Sequence, residues 1–368
     1  MTLRRNMDFN KINLGQYYTP FKYISLVNSW LVEVGVNQEY IIADLSCGDG
    51  RFLNLPSYSY NHRIGNDIDD NIIKQCISLN KDISWFNENS LIDVSRAKYH
   101  IDNRKLVIVG NPPYNDYTSI TKRNIKQSIQ MDDNIKTRDI GISSILSYNI
   151  LKADYVSILH PLSYLIKKSN FKLLKPFMVN YQIVKHVVFP SSEFDSTSTK
   201  SPFPILCILY KRVEGNGTSF NDISNFKFKT IDDKTFSISD YDYVTDYIQK
   251  YPTKQRYTPE ILFYTLRDIN ALYRSKTFMK ERTPNSIDIN PSDLSYYCYI
   301  DCFKKYAHIP YYLGNFNIPF NIEEFNKMKD CFESVSKFNH IDIFKDAIRP
   351  TEEIITKVKD YFNTLFND

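Results

Sequence analysis

In Leu106-Val107-Ile108-Val109-Gly110-Asn111-Pro112-Pro113-Tyr114, a short apolar run leads into a rigid polar and aromatic turn. The apolar part is rich in β-branched residues and does not alternate with polar ones, which predicts a strand covered on both faces, as in a parallel sheet. Gly110 ends this strand, and the two prolines have a fixed φ and offer carbonyl oxygens without N–H donors. A ligand that meets the turn finds the Asn111 carboxamide, preset backbone acceptors and the aromatic ring of Tyr114.

These groups suit the activation of an exocyclic amine on an aromatic ring. Such an amine is a poor nucleophile because its lone pair is delocalised into the ring. If the Asn111 side-chain oxygen and the Pro112 carbonyl accept both amine hydrogens, the nitrogen can become tetrahedral and present its lone pair. The flat base can stack on Tyr114. The alternative interpretation is a proline turn after an ordinary strand.

The tetrapeptide Asn111-Pro112-Pro113-Tyr114 resembles the fourth motif of the amino-methyltransferases that use S-adenosylmethionine. The resemblance implies that these four residues are catalytic and that S-adenosylmethionine is the cofactor. DNA adenine, RNA adenine and glutamine side-chain methyltransferases carry similar tetrapeptides, so the motif leaves the acceptor open.

A cofactor loop is predicted upstream of this turn. An apolar strand that ends at Asp44 runs into Gly48 and Gly50, where the absence of a Cβ lets the backbone approach a ligand closely. Asp67 follows a second strand about 20 positions later, as in nucleotide-binding units. The resemblance assigns the ribose hydroxyls of the cofactor to Asp67 and its cationic methionine part to the surroundings of Asp44. Two acids suit a sulfonium and an amine better than a pyrophosphate.

Further cofactor contacts are predicted from positions relative to these motifs. Tyr18-Thr19-Pro20 precedes a helix predicted over residues 21–34, with Thr19 as its N-cap and Pro20 at its first position. In the enzymes that the sequence resembles, such a turn covers the methionine end of the cofactor, and a residue matching Asn89 bonds the adenine amine; an ordinary loop residue is the alternative for Asn89. The predicted cofactor-binding residues are Tyr18, Thr19, Pro20, Asp44, Ser46, Cys47, Gly48, Gly50, Asp67 and Asn89.

The predicted fold class is α/β, with a Rossmann-like, doubly wound, mostly parallel seven-stranded sheet of the class I methyltransferase type. Pro56 predicts a stunted first crossover helix. Later strands are predicted at residues 155–161, 184–189 and 203–210, the last two as a hairpin-like pair, with a helix at 142–151. In relatives the residue that matches Phe189 gives the flipped base a second aromatic face, so Tyr114 and Phe189 are the predicted stacking residues; a core phenylalanine is the alternative. His160 is interpreted as a satisfied strand-end histidine.

A charged and glycine-containing segment at residues 211–217 predicts a domain boundary. Residues 1–213 are assigned to the catalytic domain, and residues 218–368 to a mixed α+β target-recognition domain with a helix over 352–366. Tyr264, Arg267 and Arg274 are predicted to share a helical face that suits phosphates and base edges, the alternative being a solvated amphipathic helix. The predicted DNA contacts are Lys122, Arg123, Arg267, Arg274 and Lys276. A solvated loop is the alternative for the first two.

The bulk composition sets broad limits. At 368 residues, with 42% hydrophobic and 24% charged content, the chain has room for two globular domains. A net charge of +4 permits a nucleic-acid partner without requiring one. We expect a cytoplasmic protein without membrane contact, because no apolar run reaches about 18 residues and the N-terminus has no apolar signal segment. The spacing of Cys298, Cys302 and His308 matches no zinc pattern, so no metal is expected.

The order of the motifs resembles the gamma arrangement of the DNA adenine-N6 methyltransferases over residues 15–212. The resemblance implies a site-specific enzyme that transfers a methyl group from S-adenosylmethionine to the N6 amine of a flipped adenine in double-stranded DNA. It also implies a restriction-modification system, with a cognate restriction endonuclease as partner. The alternatives are methylation of RNA adenine, of protein glutamine or of cytosine N4, and a non-catalytic nucleic-acid binder on the same fold.

Overall fold

The computed structural model describes residues 18–59, 61–114, 130–194, 202–272 and 274–366. Contacts divide the chain into two compact units, Met1–Ser237 and Ile238–Asp368. The boundary therefore lies later than the predicted 213–218. The reason is that the chain after residue 218 packs on the edge of the first sheet, where the Ile231 N–H donates to the Val188 carbonyl at 2.8 Å.

The first unit is built on a seven-stranded sheet. Its strands are β1 (Tyr40–Asp44), β2 (Arg63–Asn66), β3 (Ser84–Phe86), β4 (Lys105–Gly110), β5 (Tyr155–Pro161), β6 (Tyr181–Pro190) and β7 (Pro204–Arg212). They lie in the order β3-β2-β1-β4-β5-β7-β6. β7 is antiparallel to β5 and β6, and all other neighbours are parallel. The predicted doubly wound sheet is confirmed.

β4 lies inside this sheet, between β1 and β5. Its residues Leu106, Val107, Ile108 and Val109 are at most 1% exposed, which confirms a strand covered on both faces. The described residues of this unit form the helices α1 (Phe21–Glu33), α2 (Asp70–Leu79), α3 (Ile140–Ile150), α4 (Ser163–Ile166), α5 (Lys168–Met178) and α6 (Phe220–Asn225), followed by the ribbon of β8 (Phe228–Lys229) and β9 (Thr235–Phe236). Between β1 and β2 the described residues contain a short 3-10 turn, Pro56–Tyr58, where a crossover helix would stand, as Pro56 predicts.

The start of α1 differs from the prediction. The helix begins at Phe21, Pro20 occupies the N-cap position, and no side chain caps the helix. The prediction of Thr19 as N-cap is therefore wrong. Thr19 is 2% exposed, and its carbonyl accepts a hydrogen bond from the Arg51 side chain at 2.8 Å. A long-range contact, rather than local capping, holds the chain where it enters α1.

In the part of the second unit that the structure describes, small antiparallel sheets are combined with three helices. β11 (Leu262–Tyr264) lies between β12 (Phe278–Met279) and β13 (Ser286–Asp288), and β10 (Asp242–Tyr243) pairs with β14 (Pro319–Phe320). The helices are α7 (Leu294–Tyr306), α8 (Ile322–Asn339) and α9 (Glu352–Thr364). The buried ring of Tyr299 on α7 lies 5.2 Å from Phe332 on α8 and 5.3 Å from Phe362 on α9, so aromatic packing joins the three helices.

The predicted helical face within residues 263–282 is wrong. This segment forms β11, a 3-10 turn at Ile269–Ala271 and β12. Tyr264 therefore belongs to a strand, and Arg267 and Arg274 lie in the connections around that turn, which removes the common helical face. The predicted C-terminal helix is confirmed as α9. No helix within the described ranges combines the length and the apolar character needed to cross a membrane.

Candidate active site

The carboxyl ends of β1 and β4 meet at one edge of the sheet and carry the two main predicted motifs. These strands are parallel neighbours, with Ala43 opposite Ile108. A Cβ added to Gly110 would lie 2.6 Å from Asp44 Oδ1, and Gly110 has a φ of +143°, so glycine is required here. Asp44, the acid of the predicted cofactor motif, therefore lies close to Gly110, the residue that precedes Asn111.

Asp44 is a buried acid, 1% exposed. Burial raises the pKa of its carboxyl from 3.8 to about 8; the Ser46 N–H bond partly offsets this, and the carboxylates of Asp67 and Asp49 add to it. Among the described residues, no basic side chain lowers the pKa of Asp44. A cationic group bound beside Asp44 would favour its ionised form. The site thus fits a ligand with a positive charge at this position.

Asp67 anchors the glycine loop. It follows β2, and its Oδ2 accepts the Gly48 N–H at 2.9 Å while its Oδ1 accepts the Asp69 N–H at 3.0 Å. The carboxylate can accept more hydrogen bonds than its backbone partners supply, so it can also accept from a ligand hydroxyl. Burial raises the pKa of Asp67 as well. The carboxylate of Asp67 thus holds the glycine loop at Gly48, a contact that the sequence pattern does not predict.

The two loop glycines differ in their surroundings. Gly48, with a φ of +51°, has open space where a Cβ would be, so a ligand can approach its backbone. Gly50, with a φ of +73°, instead makes room for the Trp85 ring, which would lie 2.7 Å from an added Cβ. The predicted residue Cys47 is buried and its N–H donates to the Asn66 carbonyl at 2.9 Å, while the predicted Ser46 donates its N–H to Asp44.

Two residues beside Asp67, Asn66 and Ile68, also belong to this edge of the sheet, although the sequence motifs do not single them out. The Asn66 amide donates to the carbonyls of Leu45 and Glu88, at 3.2 and 3.0 Å, and so ties together the ends of β1, β2 and β3. Ile68, directly after Asp67, is 65% exposed and offers an apolar surface beside the acid. In the sequence, Ile68 could have been noticed as an apolar residue between the two acids Asp67 and Asp69.

The side chain of Asn89 holds its own loop. Its Oδ1 accepts the Leu91 N–H at 3.0 Å, and its Nδ2 donates to the Gln130 carbonyl at 2.9 Å. The Asn89 carbonyl also accepts from Lys98 Nζ at 2.7 Å. These contacts match the ordinary loop role that the sequence left open.

The Asn-Pro-Pro-Tyr turn is fixed on two sides. The Tyr114 hydroxyl donates to the Leu159 carbonyl on β5 at 2.8 Å and contacts Asn111 Oδ1, and its half-buried ring packs against the hydrophobic core. A Cβ added to Gly141, in the first turn of α3, would lie 3.0 Å from the Pro113 carbonyl oxygen. Asn111 is likewise half-buried at the end of β4. Strand β5 and helix α3 together set the position of the turn.

Phe189 belongs to the core. It is 0% exposed and stacks on Tyr23 of α1, with ring centroids 3.8 Å apart. Phe189 is therefore a core phenylalanine, the alternative that the sequence allowed, and it is not accessible for stacking on a target base. His160 is buried as predicted for a satisfied histidine: its ring nitrogens lie 2.9 Å from the Tyr210 hydroxyl and 2.9 Å from the Pro161 carbonyl, and burial lowers its pKa to about 4.

The predicted DNA contacts fall into two groups. Lys122 and Arg123 lie outside the described residues. Arg267, Arg274 and Lys276 are exposed in the second unit, where the Lys276 ammonium lies 5.0 Å from the Tyr264 ring centre. Within the described ranges, no group of three or more His, Cys, Asp or Glu side chains is arranged to hold a metal ion.

The sheet order with its antiparallel seventh strand is that of the class I methyltransferase fold. No protein-family model and no curated protein sequence matches the chain. Among solved structures, it is similar to a Pyrococcus horikoshii protein assigned as an RNA methyltransferase, at 14% identity over 55% of this chain and 90% of that chain, with a TM-score of 0.37. A Listeria monocytogenes protein assigned as a class I S-adenosylmethionine-dependent methyltransferase matches at 16% identity over 54% of this chain and 62% of that chain, with a TM-score of 0.40. An S-adenosylmethionine-dependent methyltransferase of Anabaena variabilis matches at 14% identity over 56% and 93%, with a TM-score of 0.35.

Proposed function

We propose that this chain is a DNA methyltransferase that methylates the N6 amine of adenine with S-adenosylmethionine as cofactor. The observation that carries the proposal is the contact between Asp44 and Gly110. The carboxyl of Asp44, the acid proposed to bind the cofactor, lies beside the backbone of the residue that precedes Asn111. In an open α/β sheet, ligands bind at the carboxyl ends of the strands, where both motifs lie.

The residues of the chain fit this cofactor. S-adenosylmethionine supplies a methyl group on a sulfonium, and it carries an amine and two ribose hydroxyls. Asp44, buried beside other carboxylates, would hold the cationic part, because a nearby positive charge relieves its desolvation. Asp67 would accept from the ribose hydroxyls with the lone pairs that Gly48 and Asp69 leave over. Gly48 leaves the backbone accessible, and Ile68 offers an apolar surface for the adenine ring.

The turn acts on the target base. Asn111 Oδ1 and the Pro112 carbonyl accept the amine hydrogens, which localises the nitrogen lone pair, and the ring of Tyr114 supports the flipped base. The bond from Tyr114 to Leu159 and the closeness of Gly141 to the Pro113 carbonyl hold the turn, which supports acceptors that are set before the base arrives. Such preorganisation lowers the barrier without covalent chemistry.

Double-stranded DNA is the proposed substrate because the order of the motifs, with a large second unit after the catalytic one, matches the gamma arrangement. Arg267, Arg274 and Lys276 are proposed to contact its phosphates. A restriction-modification system with a partner endonuclease is the proposed setting. Transfer of a radiolabelled methyl group to DNA, RNA and protein in parallel tests the substrate class, and modified-base sequencing of the methylated DNA locates the target adenine. Label confined to RNA or protein would contradict the proposal.

Two substitutions separate the acceptor site from the cofactor site. We expect Asn111→Ala to lower turnover roughly 100- to 1000-fold, the usual effect of losing one preorganised polar group, while cofactor affinity stays within about twofold. Asp67→Ala should weaken cofactor binding about tenfold or more, since it removes hydrogen bonds to a charged group. Calorimetry measures the affinity and label transfer measures the turnover.

Asn61→Ala is the matched control. The Asn61 amide donates to the carbonyls of Asn37 and Tyr40, at 2.7 and 2.9 Å, where β1 begins at the opposite edge of the sheet. It should change neither turnover nor affinity beyond what its stability loss explains. Turnover near the wild-type value in Asn111→Ala would refute the mechanism.

A further inference from the structure

The side chain of Arg51 joins two segments that are far apart in the sequence. Arg51 follows the loop glycine Gly50, and its Nη1 donates to the carbonyl of Thr19 at 2.8 Å. Its Nε donates to Asp49, at 2.8 Å to Oδ1 and 3.0 Å to Oδ2, and its Nη2 also contacts Asp49 Oδ2. The guanidinium carbon lies 4.8 Å from the centre of the Tyr18 ring.

These contacts use properties that only arginine combines. A planar fork can pair with a carboxylate through two nitrogens while a third nitrogen reaches a carbonyl and the flat face lies on an aromatic ring. Lysine keeps the positive charge but offers a single ammonium that cannot meet Asp49, Thr19 and Tyr18 together. The geometry is therefore specific to the guanidinium and not only to its charge.

We propose that Arg51 is a positioning residue for the cofactor: it fastens the Tyr18–Pro20 turn to the glycine loop. The inference rests on the proposed function, in which this turn covers the methionine end of S-adenosylmethionine. Arg51 also pairs with Asp49, which offsets the negative charge of a third carboxylate in this loop. The loop on one side of the cofactor and the turn on the other are thereby set before binding, which lowers the ordering cost of binding.

Replacement of a residue that only stabilised the fold would change both cofactor affinity and kcat. A positioning residue for the cofactor changes cofactor affinity and the KM for the cofactor, and leaves kcat close to the wild-type value once the cofactor is saturating. It also couples to Tyr18, because both side chains act through the same turn. Residues that act through one contact give non-additive effects in a double-mutant cycle.

The experiment titrates S-adenosylmethionine by calorimetry into the full-length wild type, Arg51→Lys, Tyr18→Ala and the double variant. We expect Arg51→Lys to weaken affinity about tenfold, the size of one lost charge-assisted hydrogen bond. Tyr18→Ala should weaken it by a smaller factor. The double variant should bind no more weakly than Arg51→Lys alone. In methylation assays the KM for the cofactor should rise with affinity while kcat stays within about twofold.

Arg212→Lys is the matched control. Arg212 also pairs with an acid two residues away, Glu214, at 3.2 Å, and its guanidinium lies 5.7 Å from the Tyr181 ring. It stands at the end of β7, beside the start of β5 and thus at the edge of the sheet opposite the proposed site. Its cofactor affinity should equal that of the wild type.

The possible results separate this inference from the proposed function. Wild-type protein that fails to bind S-adenosylmethionine would overturn the proposed function and the inference with it. Normal binding by the wild type and equal binding by Arg51→Lys would overturn the inference alone, as would a loss of kcat at saturating cofactor or additive effects of the two substitutions. If Arg51→Lys does not fold, the cofactor affinity of Tyr18→Ala tests the inference. An affinity equal to that of the wild type would overturn it, because loss of this ring from a turn that covers the cofactor should weaken binding.

Discussion

Replacement of the buried acid Asp44 by asparagine should make the protein more stable at neutral pH and a poorer binder of its cofactor. Asparagine has the same shape and keeps an oxygen that can accept the Ser46 N–H, which now donates to Asp44 Oδ1 at 3.2 Å. It differs in that it cannot ionise. The substitution therefore removes the cost of a carboxylate in a buried site, and it also removes the charge proposed to hold the cationic part of the cofactor.

The size of the effect follows from the pKa. Burial raises the pKa of Asp44 to about 8 from 3.8. Below about pH 3 both the folded and the unfolded chain carry the proton, and the full stability is present. As the pH rises towards 8, the unfolded chain loses its proton first, so the folded state loses stability. At about 1.4 kcal/mol per pKa unit, the loss amounts to about 6 kcal/mol by pH 8.

Urea unfolding at pH 4.5, 7 and 8 without cofactor measures this directly. We expect Asp44→Asn to exceed the free energy of unfolding of the wild type by only about 1 kcal/mol at pH 4.5 and by several kcal/mol at pH 8, with about 6 kcal/mol as the limit. Added S-adenosylmethionine should stabilise the wild type far more than the variant, because ligand that binds the folded state raises stability according to its affinity. Parallel pH profiles for the two proteins, or equal affinities for the cofactor, would refute the reasoning.

Two glycine substitutions test how the Asn-Pro-Pro-Tyr turn is held, one against Asp44 and one against α3, and a third serves as a control. Gly110→Ala would set a Cβ 2.6 Å from Asp44 Oδ1 at a φ of +143°, so we expect loss of both cofactor binding and turnover. Gly35→Ala is its control in thermal unfolding, because it imposes a positive φ of +81° with open space around it and should show only the backbone strain of about 1–3 kcal/mol. Gly141→Ala would set a Cβ 3.0 Å from the Pro113 carbonyl and 2.5 Å from the Tyr164 hydroxyl, so turnover should fall while calorimetry shows unchanged cofactor affinity. A Gly141→Ala variant with wild-type turnover would show that α3 does not position the turn.

Much of the first unit could be predicted because its signals are local. The non-alternating apolar run at Leu106–Val109 is a property of neighbouring residues, and burial on both faces of β4 follows from it. The position of Asp67 directly after β2 could likewise be expected, since an acid at this spacing after a second strand is a recurring pattern.

The contacts that complete the site could not be predicted, because they join residues that periodicity does not relate. Arg51 meets Thr19 across 32 positions, and Asn66 meets Glu88 across 22. Phe189 could be core or base-stacking from its sequence alone, and only its contact with Tyr23 decides. In the second unit, the aromatic and basic composition of residues 263–282 fits a helix as well as two strands, and pairing of β11 with both β12 and β13 selects the strands.

The contact between Asp44 and Gly110 also gives the two halves of the proposed reaction a physical link. A Cβ at Gly110 would lie 2.6 Å from Asp44 Oδ1, so the carboxyl and the backbone that leads to Asn111 are close neighbours. A cation bound at Asp44 would change the protonation of a group beside the start of the proposed catalytic turn, and a shift of this turn would change the burial that raises the pKa of Asp44. Cofactor binding and the position of the amine acceptors should therefore be thermodynamically coupled, and such coupling is reciprocal. A DNA substrate that seats its base against Asn111 should tighten cofactor binding by the same factor by which the cofactor tightens binding of that DNA.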